Sequence, residues 1–136
     1  MDNTNNSARG RLQEGVSFTS RLIVGEGDTA ISMGSGTLPV LGTPRLAALL
    51  ENAAMLAVAP VLAPGETTVG GELSLRHLAP SGVGASITAT AVLEKAEGRK
   101  LYFKVCAREG DILIGEGTHT RFIVDAERFL SKIHPQ

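Results

Sequence analysis

Apolar and polar residues alternate from Ser17 to Val24, with Phe18, Leu22 and Val24 on one side and Thr19 and Arg21 on the other. A period of two is that of a half-buried strand, so this segment is read as the first strand. The next stretch, Gly25 to Thr43, carries five glycines and Pro39, and its scattered apolar residues sustain neither a helical nor a strand period. It reads as a loop or lid.

Thr43-Pro44 then marks a helix start. A threonine side chain can cap an orphan N–H, and proline at the first helical position gives up no hydrogen bond. Leu46, Leu49, Leu50, Ala53, Leu56 and Ala57 follow the 3.6-residue period, while Ala47, Ala54, Met55 and Val58 make much of the opposite face apolar too. A helix apolar nearly all round is a buried one. It is expected to end near Pro60, ahead of a turn at Ala63-Pro64-Gly65-Glu66.

From there the period is two. TTVGGELSLRHL (67–78) places Val69, Leu73, Leu75 and His77 on one face, and Pro80-Ser81-Gly82 interrupts it. GASITATAVLEK (84–95), KLYFKVCARE (100–109) and ILIGEGTHTRFIV (112–124), linked by turns at Glu97-Gly98 and Gly110-Asp111, predict an antiparallel meander. Asp125 to Ile133 leaves space for a terminal helical turn. A strand, a long buried helix and four strands pack most economically as an α+β domain, one antiparallel sheet wrapped around one central α-helix. Gly115 and Gly117 share a face with His119 and Arg121. Two glycines in register mark either a close approach of backbone or ligand, or a bulge or clearance for the helix.

Composition bounds the partners more than it names them. At 136 residues the chain fits one domain. Residues 1–13 are polar and read as a tail, and 14–136 as the single domain. Thirteen Lys and Arg against 14 Asp and Glu give a net charge of −1, which lacks the basic footprint of a nucleic-acid binder. Cys106 stands alone, no Cys/His cluster has metal-ligand spacing, and the apolar run from Leu46 to Val61 is interrupted by Glu51 and Asn52 and falls short of a membrane span. The expectation is a cytoplasmic protein with no metal, no cofactor and no membrane or nucleic-acid partner. Aromatics are only 4% and glycines number 16, so small aliphatic residues must fill the core.

Among polar residues Glu51 is the most informative, because it interrupts an otherwise apolar helix. Either it shares a narrow solvent-facing stripe with Asn52, or its carboxylate has partners. His77 and His119 each read as strand histidines satisfied by neighbours, His134 lies in the C-terminal tail, and Cys106 reads as a packing residue.

The segments GTPRLAALLENAAMLAVAPVLAPGETTVG, ELSLRHLAPSGVG and IGEGTHTRFIVD together resemble the hot dog fold thioesterases related to fluoroacetyl-CoA thioesterase, over about Gly15 to Lys132. The resemblance implies an acyl-CoA thioester hydrolase with a catalytic set at Thr43, Glu51 and His77. It also implies a backbone N–H at Gly70 for the thioester oxygen, Arg121 lining the site, and a homodimer or higher homo-oligomer with acyl sites between subunits. In that reading His77 is the base, Glu51 orients water or attacks directly, and Thr43 positions the group by hydrogen bonding. The Gly25–Gly42 segment contains no Phe, unlike the Phe-bearing lid of the namesake, which points to a broader small acyl-CoA substrate class. A non-cleaving acyl-CoA-binding domain and an enoyl-CoA hydratase or dehydratase are the alternatives on the same fold. Arg99, Lys100 and Lys104 are the candidate contacts for CoA phosphates.

Overall fold

A computed structural model describes residues 12–133. Strand β1 (Ser17–Ile23) leads through a 3-10 turn and a one-turn helix α1 (Ala30–Met33) to the long helix α2 (Thr43–Val58). Strands β2 (Glu66–His77), β3 (Ser86–Glu97), β4 (Lys100–Glu109) and β5 (Ile112–Asp125) follow, and a short helix α3 (Ala126–Leu130) closes the described chain. The five strands form one antiparallel sheet in the order β1-β3-β4-β5-β2.

The meander forms where the two-residue turns allow it. Gly98 and Gly110 have φ of +59° and +60°, the first central position of each hairpin turn, where a Cβ would be strained. Helix α2 lies across the inner face of the sheet, burying Leu46, Leu50, Ala53, Ala54 and Val58 completely. Opposite it, Ile87, Ala89, Ala91 and Leu93 alternate along β3, and Leu101, Phe103, Val105 and Ala107 along β4. The aromatic shortage follows from this: the alanines beneath α2 let a helix backbone sit close to a sheet, and Phe103 is the largest fully buried side chain among the described residues. With the 3-10 turn that follows it, α2 is long and apolar enough by composition alone to cross a membrane, but here it is the core helix of the sheet.

The segment read as a lid is ordered by its own hydrogen bonds. Asp28 accepts from Gly25 N at 2.8 Å and from Arg45 Nε of α2 at 2.9 Å. These partners hold its carboxyl below the usual range, the Gly25 amide most of all. The bridge Thr29↔Leu41 joins the two ends of the segment to each other, and Val40↔Gly82 ties it to the connection after β2. Of the tail expected at 1–13, residues 1–11 lie outside the described residues, and Leu12 is buried in the core. His134 also lies outside the described residues.

One face assignment changes. A β-bulge between Gly70 and Glu72 inserts Gly71 as the extra residue, so Thr68 and Gly70 face α2 before it, and Leu73, Leu75 and His77 after it. Val69 is therefore on the opposite face from Leu73, because the bulge shifts the phase by one residue.

Candidate active site

Two groups of polar residues lie along the same side of α2. The first joins the start of α2 to the end of β2: Thr43 Oγ1 is 2.8 Å from His77 Nδ1. Thr43 was expected to cap the helix. Instead Gly42 occupies the N-cap position without a side-chain cap, and the Thr43 hydroxyl is given to the histidine. The other ring nitrogen, His77 Nε2, is buried with no hydrogen-bond partner of good geometry. Burial pushes the His77 pKa below 6.5, with the Ala79 backbone opposing it in part. A neutral imidazole with one nitrogen held and the other free is what a general base requires.

This pair opens onto a cavity of about 360 Å³ lined by Ala30, Ser35, Val40 and Leu41 from the lid segment and by Leu78 and Pro80 beyond β2. None of its lining side chains is Phe, Tyr or Trp.

The second group is centred two turns further along α2. Glu51 is half-buried, and a Cβ built on Gly70 would stand 3.1 Å from its Oε2, so the carboxylate rests against the Gly70 backbone. The same point is 3.4 Å from His119 Cε1 and 3.5 Å from Arg121 Nη1. Glu51 makes no side-chain hydrogen bond or ion pair among the described residues, but it lies within electrostatic reach of the Arg121 guanidinium and the His119 ring. Asn52 is directed elsewhere, accepting from Ser20 Oγ of β1 at 2.6 Å.

Arg121 is buried and is held by Thr68, donating from Nε to Oγ1 at 2.9 Å and from Nη2 to the carbonyl at 3.0 Å. Burial lowers its pKa, and the Glu51 charge works the other way. His119, 2% exposed, places Nδ1 2.7 Å from the Glu72 carbonyl and Nε2 3.2 Å from Arg121 Nη1. An arginine can only donate, so Nε2 accepts and Nδ1 carries the proton. Burial first, then the neighbouring Arg121 charge, pushes the His119 pKa down, against the Glu72 carbonyl and Glu51. His119 was read as an ordinary strand histidine. The signal that could have found it is its i, i+2 spacing with Arg121 on the strand opposite Gly70-Gly71.

Gly115 and Gly117 resolve into two kinds of clearance. A Cβ at Gly115 would come within 3.0 Å of Leu46 Cδ2 on α2, and one at Gly117 would collide with the Ser74 carbonyl of β2. The three cations considered for CoA phosphates separate. Lys100 Nζ lies 5.0 Å from the Tyr102 ring centroid, and Lys104 is exposed across the sheet from Thr118. Arg99 donates to the Ile123 carbonyl at 3.0 Å, beside Arg128 and Lys132 around a cavity of about 220 Å³.

Comparison with known proteins bears on the fold and the activity. The profile of the family described as fluoroacetyl-CoA-specific thioesterase matches residues 24–127. A fluoroacetyl-CoA thioesterase from Streptantibioticus cattleyicolor is 38% identical over 94 residues, covering 69% of this chain and 68% of that protein. A solved structure of the fluoroacetyl-CoA thioesterase superposes with a TM-score of 0.85 at 32% identity over 89% of this chain and 94% of its own, and a mutant of the enzyme in complex with acetyl-CoA gives 0.84 at 31% identity, over 89% and 96%. A hot-dog-like protein from Thermanaerovibrio acidaminovorans matches over the full length of both chains with a TM-score of 0.81 at 18% identity, a likeness of fold alone. With its antiparallel sheet wrapped on α2, the chain has the hot dog fold, is a thioester hydrolase, and belongs to the fluoroacetyl-CoA-specific thioesterase family.

Proposed function

We propose that the protein hydrolyses a small acyl-CoA thioester at a site built from Thr43, His77, Glu51 and the Gly70 amide. The observation that carries this reading is the Thr43–His77 pair, with a neutral, half-buried imidazole opening onto a cavity of acyl size. Thr43 fixes the ring through Nδ1, and His77 Nε2 is left to take a proton. Glu51 delivers oxygen to the carbonyl carbon, either from a water it orients or from its own carboxylate. The developing oxyanion is held by the Gly70 N–H, beside the Arg121 charge. In the water route His77 takes the proton of the attacking water, and collapse of the tetrahedral adduct breaks the C–S bond as that proton passes to the CoA sulfur. In the direct route collapse expels CoA thiolate and leaves a Glu51–acyl anhydride, which a water deprotonated by His77 then hydrolyses to the free acid and the Glu51 carboxylate. Trapping with hydroxylamine or borohydride during turnover separates the two routes, because only direct attack forms an anhydride at Glu51 for them to capture.

The site is proposed to lie between two copies of the chain. Thr43 and Glu51 are eight residues apart on one uninterrupted helix, about 12 Å at ~1.5 Å per residue. One carbonyl cannot touch both within a protomer, whereas a two-fold partner can bring its Glu51 and Gly70 to this chain's Thr43 and His77. The open position of Gly70 at β2, a sheet edge, suits this. The Phe-free lid lining supports a broader small-acyl substrate than fluoroacetyl-CoA alone, and the acetyl-CoA complex of the relative fits the same class. A cytoplasmic location suits such a substrate and the free thiol of Cys106.

The test is release of CoA thiol across a panel of acyl-CoAs, with Glu51→Ala and His77→Ala alongside. Turnover of short acyl-CoAs that both substitutions abolish is the expected result. Tight binding without thiol release, or hydration of enoyl-CoA instead, would overturn the proposal.

A further inference from the structure

Two buried side chains of β5 grip β2 on either side of Gly70. Arg121 takes the Thr68 carbonyl and hydroxyl at 3.0 and 2.9 Å, and His119 takes the Glu72 carbonyl at 2.7 Å. Thr68 and Glu72 are two residues before and two residues after Gly70. The two gripping side chains are themselves joined, Arg121 Nη1 donating to His119 Nε2 at 3.2 Å. The His119 ring is backed by Phe103, whose centroid is 6.2 Å away, and both are essentially excluded from solvent.

The grip falls where β2 needs it. At the bulge, Gly71 is an extra residue with no partner across the ladder, so the regular pairing is interrupted immediately after Gly70. A Cβ at Gly71 would overlap the Phe122 ring, which would have to move aside. A bulge held only by glycines would leave the direction of the Gly70 amide loose. An oxyanion donor acts through its fixed direction, set before charge develops.

We infer that His119 is a positioning residue for the reaction: with Arg121 it clamps the Gly70–Glu72 bulge and so aims the Gly70 N–H at the thioester oxygen. The inference rests on the reading that Gly70 donates to that oxygen. Both His119 ring nitrogens are committed, one to the Glu72 carbonyl and one to Arg121, so it acts through the backbone they hold. Its neutral tautomer, with the proton on Nδ1, is the form that serves both bonds at once. Asparagine at 119 can still donate to the Glu72 carbonyl but leaves Arg121 Nη1 without its acceptor, so it is the partial rescue.

The experiment compares the parent with His119→Ala, His119→Asn and Glu51→Ala in the full chain, reading kcat and KM by thiol release and the Gly70 amide resonance in nitrogen-15-labelled protein. His119→Ala should lower kcat by about 10–100-fold with KM nearly unchanged, the loss expected for a small misplacement of a catalytic group, and should shift the Gly70 resonance. His119→Asn should recover part of both. If His119→Ala does not fold, His119→Asn alone carries the test, with a smaller fall in kcat at constant KM. Parent-like kcat in the folded His119 variants, while Glu51→Ala is inactive, overturns the clamp and leaves the site intact. A rise in KM at constant kcat also overturns it. An active Glu51→Ala locates the failure in the underlying site instead.

Discussion

Thr43 Oγ1 and His77 Nδ1 meet at 2.8 Å, tying the first residue of α2 to the last residue of β2 across 34 positions of sequence. A threonine at a helix start ordinarily spends its hydroxyl on an orphan backbone N–H. Here Gly42 holds the cap position, and the hydroxyl orients an imidazole. The two roles separate experimentally. Loss of a cap costs about 1 kcal/mol, on the order of 4 °C in Tm for a domain of this size. Thr43→Val should leave Tm within half of that shift while lowering kcat/KM by about 10–100-fold. A variant that melts like a lost cap and keeps its rate would return Thr43 to the helix.

The acid limb of the rate profile should lie below the ordinary histidine range. Burial holds the His77 pKa under 6.5, so the ring is already neutral there, and kcat/KM should be flat through neutrality and fall only at lower pH. A limb centred at or above 6.5 contradicts this.

Stability should fall on the same side. His77 and His119 both have folded-state pKa values lowered from 6.5, so the unfolded chain binds protons more readily than the folded one. Their contribution is fully present above 6.5 and is lost as pH falls through the lowered folded values. Denaturant midpoints measured on either side of 6.5 should therefore decrease toward acid; a constant midpoint would show that neither ring is held neutral.

Gly70 and Gly117 make a paired contrast. A Cβ at Gly70 meets the end of the flexible Glu51 side chain, so Gly70→Ala should fold with a loss below about 1 kcal/mol yet lose kcat by about 10–100-fold. A Cβ at Gly117 meets the Ser74 carbonyl, and strands must move apart, so Gly117→Ala should cost about 1–3 kcal/mol or more. Urea midpoints and thiol release on both variants check the contrast; equal destabilisation by the two would refute it.

The cavity beneath the lid segment should set acyl size. Val40 lines it, so Val40→Phe should raise KM for longer acyl-CoAs more than for acetyl-CoA. An equal change for all chain lengths would place the acyl group elsewhere.

The succession of strands, the β3-β4-β5 meander, the long buried helix and its end near Pro60 were legible in the sequence, because periods of two and 3.6 and the punctuating glycines act locally; the pairings of β1 with β3 and of β2 with β5 were not. The phase of β2 was not, since the bulge at Gly70–Glu72 depends on the register with β5 and so flips Val69 away from Leu73. Order within the lid segment was equally hidden: it comes from Asp28 pairing with Arg45, 17 residues on, and from bridges to Leu41 and Gly82. Glu51 stood out through its apolar surroundings. His119 did not, because a histidine between threonines on a strand looks like any other until Arg121 and the Glu72 carbonyl are seen on its two nitrogens.

Mixing His77→Ala with Glu51→Ala protein tests the central claim most directly. In a site shared between two copies, a mixed dimer pairs the intact His77 of one chain with the intact Glu51 of the other. After subunit exchange a 1:1 mixture should then recover about a quarter of the parent thiol-release rate, half the dimers being mixed and each having one whole site of two. A mixture whose mixed dimers are demonstrably formed, and whose rate stays at the sum of the two inactive variants, would contradict a site built from Thr43 and His77 of one copy and Glu51 and Gly70 of its partner.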